Sequence, residues 1–512
     1  MKIDIVNHFI LRQNGHCSFG AVLQFCRYSF FLIAFALFFC GYFLQFPNMI
    51  LCGVLSLFLS NLLFSFADAK RRIVFLLFHV TLFTFLLSRP FISMLRGNVW
   101  WHFDAASVSF ALNALFLTLL FLRLGAIFGE AVLNRKNERG LLRTPKADSE
   151  YVSNFRRSLQ IVSLIFFIIT ISVYLMLQAE KLIFMQGRDY AEIYSEFHTV
   201  FPFYVETLAS MMKFALCFFL ATMPSKRVAF VPLFVYWMSA VPALIIGQRS
   251  LIVLHTLFIL LYYIFRDIRG DAQRWLGKGE ILFLLACSIP VLFFLGSYNY
   301  IRVGTAVSMG VWDSIVDLFY KQGVSFDVLC MGYSALPDLP DVISKNYTFG
   351  PFIDYFQHGT IAQTFFGAQS LGSGNSEIMA IYGHSFADSL AYTIHPGYLN
   401  GQGYGSSYLL ETFADWGYGG IIVFSSILGM LFSFVYTIFY KNTFVSAITL
   451  ICLLNLFYIP RAPATSWLQF LTTMQFWLAV VFCYTVAGLC CRSYSFYQRR
   501  SLNHFKGVKS DV

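Results

Sequence analysis

The chain has 512 residues, 58% of them hydrophobic and only 12% charged, and its mean hydropathy is +0.66. A soluble domain carries about 25% charged residues, so this composition excludes a soluble enzyme. It also excludes a soluble domain on a single anchor, because apolar windows of about 20 residues, the length needed to cross a bilayer core, recur along the chain. The net charge of +10 does not point to nucleic acid, because the lysines and arginines sit beside the ends of apolar windows on alternate sides, as the positive-inside bias requires.

In lipid such windows must be helices, since each backbone polar group needs an internal partner. A barrel would show alternating rather than continuous apolar runs. The predicted fold is an all-α polytopic integral membrane protein with about twelve transmembrane helices and both termini cytoplasmic. Nine predicted spans come first, at about 28–44, 48–67, 73–94, 105–128, 159–178, 204–223, 228–246, 251–265 and 281–295. Arg89-Pro90 lies near the far end of the third, Trp100-Trp101 anchors the loop after it, and a basic linker follows the fourth. Glu206 and Lys213 lie inside the sixth, and the tight turn Gly247 to Ser250 joins the seventh to the eighth.

A polar interruption of roughly 110 residues follows, far more connector than a crossing needs, and structureless loops of that length usually carry function. It contains three basic residues, Arg302, Lys321 and Lys345, against eight acids, which places it on the external side. Three more spans follow, at about 419–440, 444–459 and 467–489, and the chain ends in a basic tail. The domain partition is therefore a nine-helix membrane region at 1–296, a large external loop at 297–407, a three-helix region at 408–490 and a cytoplasmic tail at 491–512. Within the loop, the apolar spacing predicts a helix over Trp312 to Tyr320, while Gly350 to Phe356 reads as turns and short pieces. Ser406 or Ser407 is placed to cap a helix running to Trp416, which sets Tyr408, Glu411 and Asp415 on one face.

Eleven cysteines are present, but only Cys330 lies in the loop, so no disulfide forms within it. No CxxC pair, zinc-spaced cluster, DxD or Walker motif occurs, so neither metal nor cofactor is expected. The candidate binding residues are arginines. Arg249, Arg302 and Arg461 sit where spans meet the external side, against the charge bias, and a guanidinium holds phosphate in bidentate fashion at any working pH. Arg188, in the loop between the fifth and sixth spans, and Tyr408 join them as candidate substrate contacts. Ion pairing is the structural alternative for each arginine, and interhelical pairing accounts for Arg89 and Lys213. Glu411 and His395 are the candidate general bases, with His384 and Asp415 nearby. The structural alternatives are a helix-end acid for Glu411 and a turn histidine for His395.

Together the spans, the outward loop, the Gly247 to Ser250 turn, Arg302 with Gly304, and the Gly403 to Gly420 stretch resemble the O-antigen polysaccharide polymerases of the Wzy type, which are related to O-antigen ligases. The resemblance implies a bacterial inner-membrane glycosyltransferase without metal. It would transfer a growing glycan from undecaprenyl pyrophosphate onto a new lipid-linked repeat unit. Implied partners are the undecaprenyl-pyrophosphate-linked oligosaccharide, membrane lipids and a chain-length regulator protein, with no nucleic acid. The competing functions are an O-antigen ligase and a flippase or transporter of lipid-linked oligosaccharide. A transporter would carry charges at mid-span, whereas here the polar mass lies outside the spans.

Overall fold

The computed structural model describes residues 16–138, 150–186, 197–270, 274–302, 310–372 and 374–508, and among these no residue is in a β-strand. In chain order α1 (His16–Phe43), α2 (Pro47–Ala67), α3 (Ile73–Leu95), α4 (Ala105–Glu138), α5 (Glu150–Phe184), α6 (Phe203–Ala221), α7 (Lys226–Ile246), α8 (Arg249–Arg269) and α9 (Lys278–Arg302) come first. The polar stretch then folds as α10 (Val311–Gln322), α11 (Ser325–Ala335), α12 (Gly350–His358), α13 (Thr360–Phe366), α14 (Glu377–Tyr382) and α15 (Phe386–Ile394). The chain closes with α16 (Tyr408–Phe439), α17 (Thr443–Leu456) and α18 (Met474–Val508).

Ten described helices are long and apolar enough to cross a membrane, namely α1 to α8, α16 and α18. Two of the twelve expected spans are not among these ten. The eleventh is the 14-residue α17, about 21 Å long at 1.5 Å per residue against a core of about 30 Å. The ninth falls in α9, some of whose side chains lie outside the described residues. The last expected span also starts late, because Ile459–Arg461 and Ser466–Leu471 coil as tighter 3-10 turns before α18 begins. The helix predicted over 312–320 is present as α10, whereas 350–356, read from sequence as turns and short pieces, lies in the continuous helix α12.

The chain forms two compact units, each discontinuous in sequence. The first comprises residues 1–135, 257–436 and 455–467. In it α1 stacks on α4 through Phe38 and Phe116, whose ring centroids are 3.9 Å apart. α4 crosses α16 at glycine contacts. A Cβ on Gly125 would collide with the Ser426 carbonyl, and one on Gly429 with the Leu122 carbonyl. Small residues let membrane helices approach backbone to backbone in this way. Between α2 and α3, Arg72 makes a bidentate pair with Glu130 of α4 (2.6 and 2.7 Å). α3 itself loosens into one π-helical segment at Phe83–Leu87, just ahead of Pro90. Proline has no N–H to give the carbonyl four residues back, and a π turn is a common way to absorb that defect.

The second unit comprises residues 136–256, 437–454 and 468–512. α6 is its buried centre, with every residue from Phe214 to Ala221 buried. Phe218 of α6 packs on Phe476 of α18, and Phe166 of α5 packs on Phe482. Gly247 ends α7 at φ 111, a conformation that costs glycine little and other residues much, and Arg249 opens α8 two residues later.

Candidate active site

The start of α16 organises the first unit around three chain segments. Its preceding turn uses Gly405 at φ +81, and the Ser407 hydroxyl accepts the Leu409 N–H at 3.4 Å. The expected face of Tyr408, Glu411 and Asp415 forms, and it points inward. Trp416 and Gly417 then leave the helical conformation, so the first two turns are separated by a bend from the membrane-length part of α16.

Each carboxylate on that face is committed to backbone or hydroxyl donors. Glu411, 1% exposed, accepts the Ser406 O–H on Oε1 at 2.6 Å and the Ala464 N–H on Oε2 at 2.7 Å. Asp415 accepts the N–H groups of Tyr347 (3.0 Å) and Thr348 (2.7 Å). The Thr465 hydroxyl closes the ring by donating to the Thr348 carbonyl at 2.7 Å. A buried donor deprived of its acceptor is expensive. The network therefore clamps 345–349 and 462–465 onto α16. Tyr408 is fully buried against Phe78 and Phe424, so its ring does not face the surface.

Arg461 ends the short turn that this clamp fixes. Its side chain is half-buried and donates from Nη1 to the Gln322 amide oxygen at 3.1 Å. Among the described residues no carboxylate pairs with it. Gln322 is the last residue of α10, and the next residue, Gly323, packs against the backbone of Arg89, where a Cβ would have no room. Arg89 pairs with Asp327 at 3.2 Å and lies over the Tyr320 ring at 4.8 Å. Ion pairing thus accounts for Arg89. Lys321 pairs with Asp317 at 2.8 Å.

A second polar group lies in the 345–398 stretch. The Asp354 carboxylate of α12 meets His384, which is 5% exposed. Its Oδ1 is 3.0 Å from His384 Nδ1 and accepts the His384 backbone N–H at 2.9 Å. The carboxylate assigns the ring proton to Nδ1, which leaves Nε2 as the free basic nitrogen. α12 comes very close here, since a Cβ on Gly350 would overlap the His384 carbonyl. Lys345 donates to the Ala380 carbonyl (2.6 Å) and to the Ser389 hydroxyl (2.9 Å). Burial pulls its pKa down to about 8, opposed by the nearby carboxylates of Asp354 and Asp388. The Tyr398 hydroxyl sits 3.0 Å from Asp388 Oδ1, and burial together with that carboxylate raises its pKa.

His395 has the opposite arrangement to His384. Its Nδ1 accepts the Gly397 N–H at 3.0 Å, so the neutral ring carries its proton on Nε2 and has no free basic nitrogen. Its ring meets Tyr404 edge-on at 4.8 Å. Arg249 is half-buried at the start of α8. Arg302 closes α9, but its side chain lies outside the described residues, as does Arg188 entirely. Of the residues singled out from sequence, the structure brings together Tyr408, Glu411, Asp415 and Arg461. Sequence reasoning missed Gln322, the pairing of His384 with Asp354, and Lys345. The first two join residues 139 and 30 positions apart, and no local spacing reports such pairs. Among the described residues, no group of three or more His, Cys, Asp or Glu side chains is placed to hold a metal ion.

Comparison with known proteins fits this picture of many apolar helices and one folded polar segment. The family model for O-antigen polysaccharide polymerase Wzy matches residues 26–493. No curated protein and no solved structure gives a significant match. A match over nearly the whole chain settles the family: this protein is a multi-pass membrane member of the O-antigen polysaccharide polymerases of the Wzy type.

Proposed function

We propose that this polymerase acts on the external face of a bacterial inner membrane. It transfers the growing glycan from undecaprenyl pyrophosphate onto a new lipid-linked repeat unit. In that step an acceptor hydroxyl oxygen attacks the anomeric carbon of the donor sugar. The bond from that carbon to the pyrophosphate oxygen breaks, undecaprenyl pyrophosphate leaves with the electron pair, and the hydroxyl proton passes to a base. The donor is already activated, so the protein's task is positioning and stabilisation of charge on the leaving group.

The observation that carries this reading is Arg461. A half-buried guanidinium is held in place by a neutral amide, and its turn is pinned by the buried Glu411. A pyrophosphate supplies the anion such a group lacks, and Arg302 is proposed as a further contact. Glu411, with both oxygens occupied in the interior, is a positioning residue in this reading, and the Asp354–His384 pair is the better-placed base than His395. The proton-accepting Nε2 and the orienting carboxylate reproduce the base–orienter arrangement of other group-transfer sites. The test is polymerisation by the purified protein in liposomes supplied with defined undecaprenyl-pyrophosphate-linked repeat units. A glycan ladder supports the reading, and its absence under conditions where the protein is folded contradicts it.

A further inference from the structure

The outer faces of α12 and α13, away from Asp354, carry exposed apolar side chains that the polymerisation chemistry does not use. Asp354 turns one side of α12 toward His384, and Phe356, two residues on and so on the opposite side of the helix, is 67% exposed. In α13 only Ala362 is buried. Ile361 is 54% exposed, and the adjacent Phe365 and Phe366 are 77% and 83% exposed. Single exposed apolar residues are ordinary, but a contiguous set on one small area marks a contact surface.

Charge identifies what covers it. Between Lys345 and Glu377 the chain contains one ionisable carboxylate or basic side chain apart from histidine, Asp354, and that one is held by His384. A water-facing segment of this length would ordinarily carry several charges, and a protein partner's surface is usually met with a polar rim. Position points the same way. Phe349, immediately before α12, meets Trp416 edge-on at 6.1 Å. Trp416 and Tyr418 are partly exposed at the bend where the membrane-length part of α16 begins, as aromatic residues at a membrane–water interface are. This surface is therefore continuous with the aromatic end of a membrane-crossing helix, and α12 and α13 with the extended Gly359 between them reach no more than about 28 Å from it.

We propose that α12 and α13 lie in the bilayer surface on the side of the 297–407 segment, with Phe356, Ile361, Phe365 and Phe366 seated among the acyl chains. This is the interfacial, non-spanning mode of membrane contact. It fixes the polar helices at the level of lipid headgroups, and it stands whether or not the glycan donor is the one proposed above.

The experiment places a benzophenone side chain at this site in the full chain: Phe366→p-benzoylphenylalanine, with Phe365→p-benzoylphenylalanine as a second variant in case the first does not accumulate. The exposed residue Asn400 serves as the control position. Native membranes are irradiated, and the adducts are identified by mass spectrometry. The expected result is phospholipid attached through its acyl chain at 366 or 365 and none at 400. Adducts to a second copy or to another protein without lipid, or no lipid adduct from either well-folded variant, overturn the proposal.

Discussion

Glu411 accepts the backbone N–H of Ala464 at 2.7 Å, three residues beyond Arg461. One buried carboxylate on α16 thus sets the position of a turn whose arginine is held by a neutral amide. The relationship ties an acid and an arginine together without a direct ion pair between them, and it separates two roles that the sequence left merged. A general base must lose activity when it can no longer take a proton. A positioning acid must instead lose stability when its donors are left unpaired. Glu411→Gln keeps one acceptor oxygen, so it is expected to retain polymerisation within about tenfold of wild type with an unchanged pH profile. Glu411→Ala leaves two buried donors unpaired, at about 1–3 kcal/mol each, and is expected to lower thermal stability and shorten the polymer together. The checks are glycan ladders across pH and melting of the purified variants. An inactive, fully stable Glu411→Gln would restore Glu411 as the base.

Arg461→Ala is expected to reduce polymerisation by about 10² to 10³, the usual effect of removing one preorganised donor to developing negative charge. Arg461→Lys keeps the charge but loses the planar fork, and is expected to recover only part. Gln322→Leu leaves the guanidinium in place without its amide anchor, so it is expected to fall between wild type and Arg461→Ala. The measurement is initial polymerisation rate at matched protein level in the membrane. Wild-type rates in Arg461→Ala would remove this residue from the site.

For the Asp354–His384 pair, His384→Ala is expected to cost about 10² to 10⁴ in rate, the range found for positioned general bases. Asp354→Asn keeps size but no longer fixes the Nδ1 proton, and is expected to cost less than His384→Ala. Combining the two changes is expected to cost little more than His384→Ala alone, because residues acting as one unit are not additive. His395→Ala is expected to cost less than tenfold. The reverse order for the two histidines would return the role to His395.

Lys345 supplies a pH dependence. Its folded pKa, about 8, lies below the ordinary 10.5, so between those values the unfolded chain binds more protons than the folded one. Stability of the 345–398 region therefore rises with pH across that window, and below about 8 the region carries the cost of a partly buried cation. Protection factors from hydrogen exchange are expected to be higher at pH 9.5 than at pH 7.5 for amides of α14 and α15. Lys345→Met is expected to remove that difference. Equal pH dependence in wild type and variant would mean that another group is responsible.

What the sequence made legible follows from the range of the interactions involved. Apolar windows report helices locally, so the membrane class, the helix α10, and the shared face of Tyr408, Glu411 and Asp415 were all readable from spacing. The direction of that face was not. Tyr347, Thr348 and Ala464 cover it from segments far away in the chain, and no local spacing reports them. The helix α12 was obscured because Gly350 and Pro351 look like turn residues. Here Pro351 sits in the first helical turn, where its missing N–H costs nothing. Arg461 was legible as a misplaced charge, whereas its neutral partner Gln322 was not, since an amide at a helix end carries no distinguishing pattern.

The proposed function rests on transfer from a lipid pyrophosphate with charge stabilised by the protein itself. It is tested most directly by reconstituting the purified chain with radiolabelled undecaprenyl-pyrophosphate-linked repeat units in the presence of EDTA, while counting glycosidic bonds and released undecaprenyl pyrophosphate together. The expected result is a glycan ladder with one undecaprenyl pyrophosphate released per bond formed, and the same rate with and without EDTA. A ladder that collapses in EDTA and returns with magnesium or manganese, or bonds formed without matching release of the lipid pyrophosphate, would contradict it.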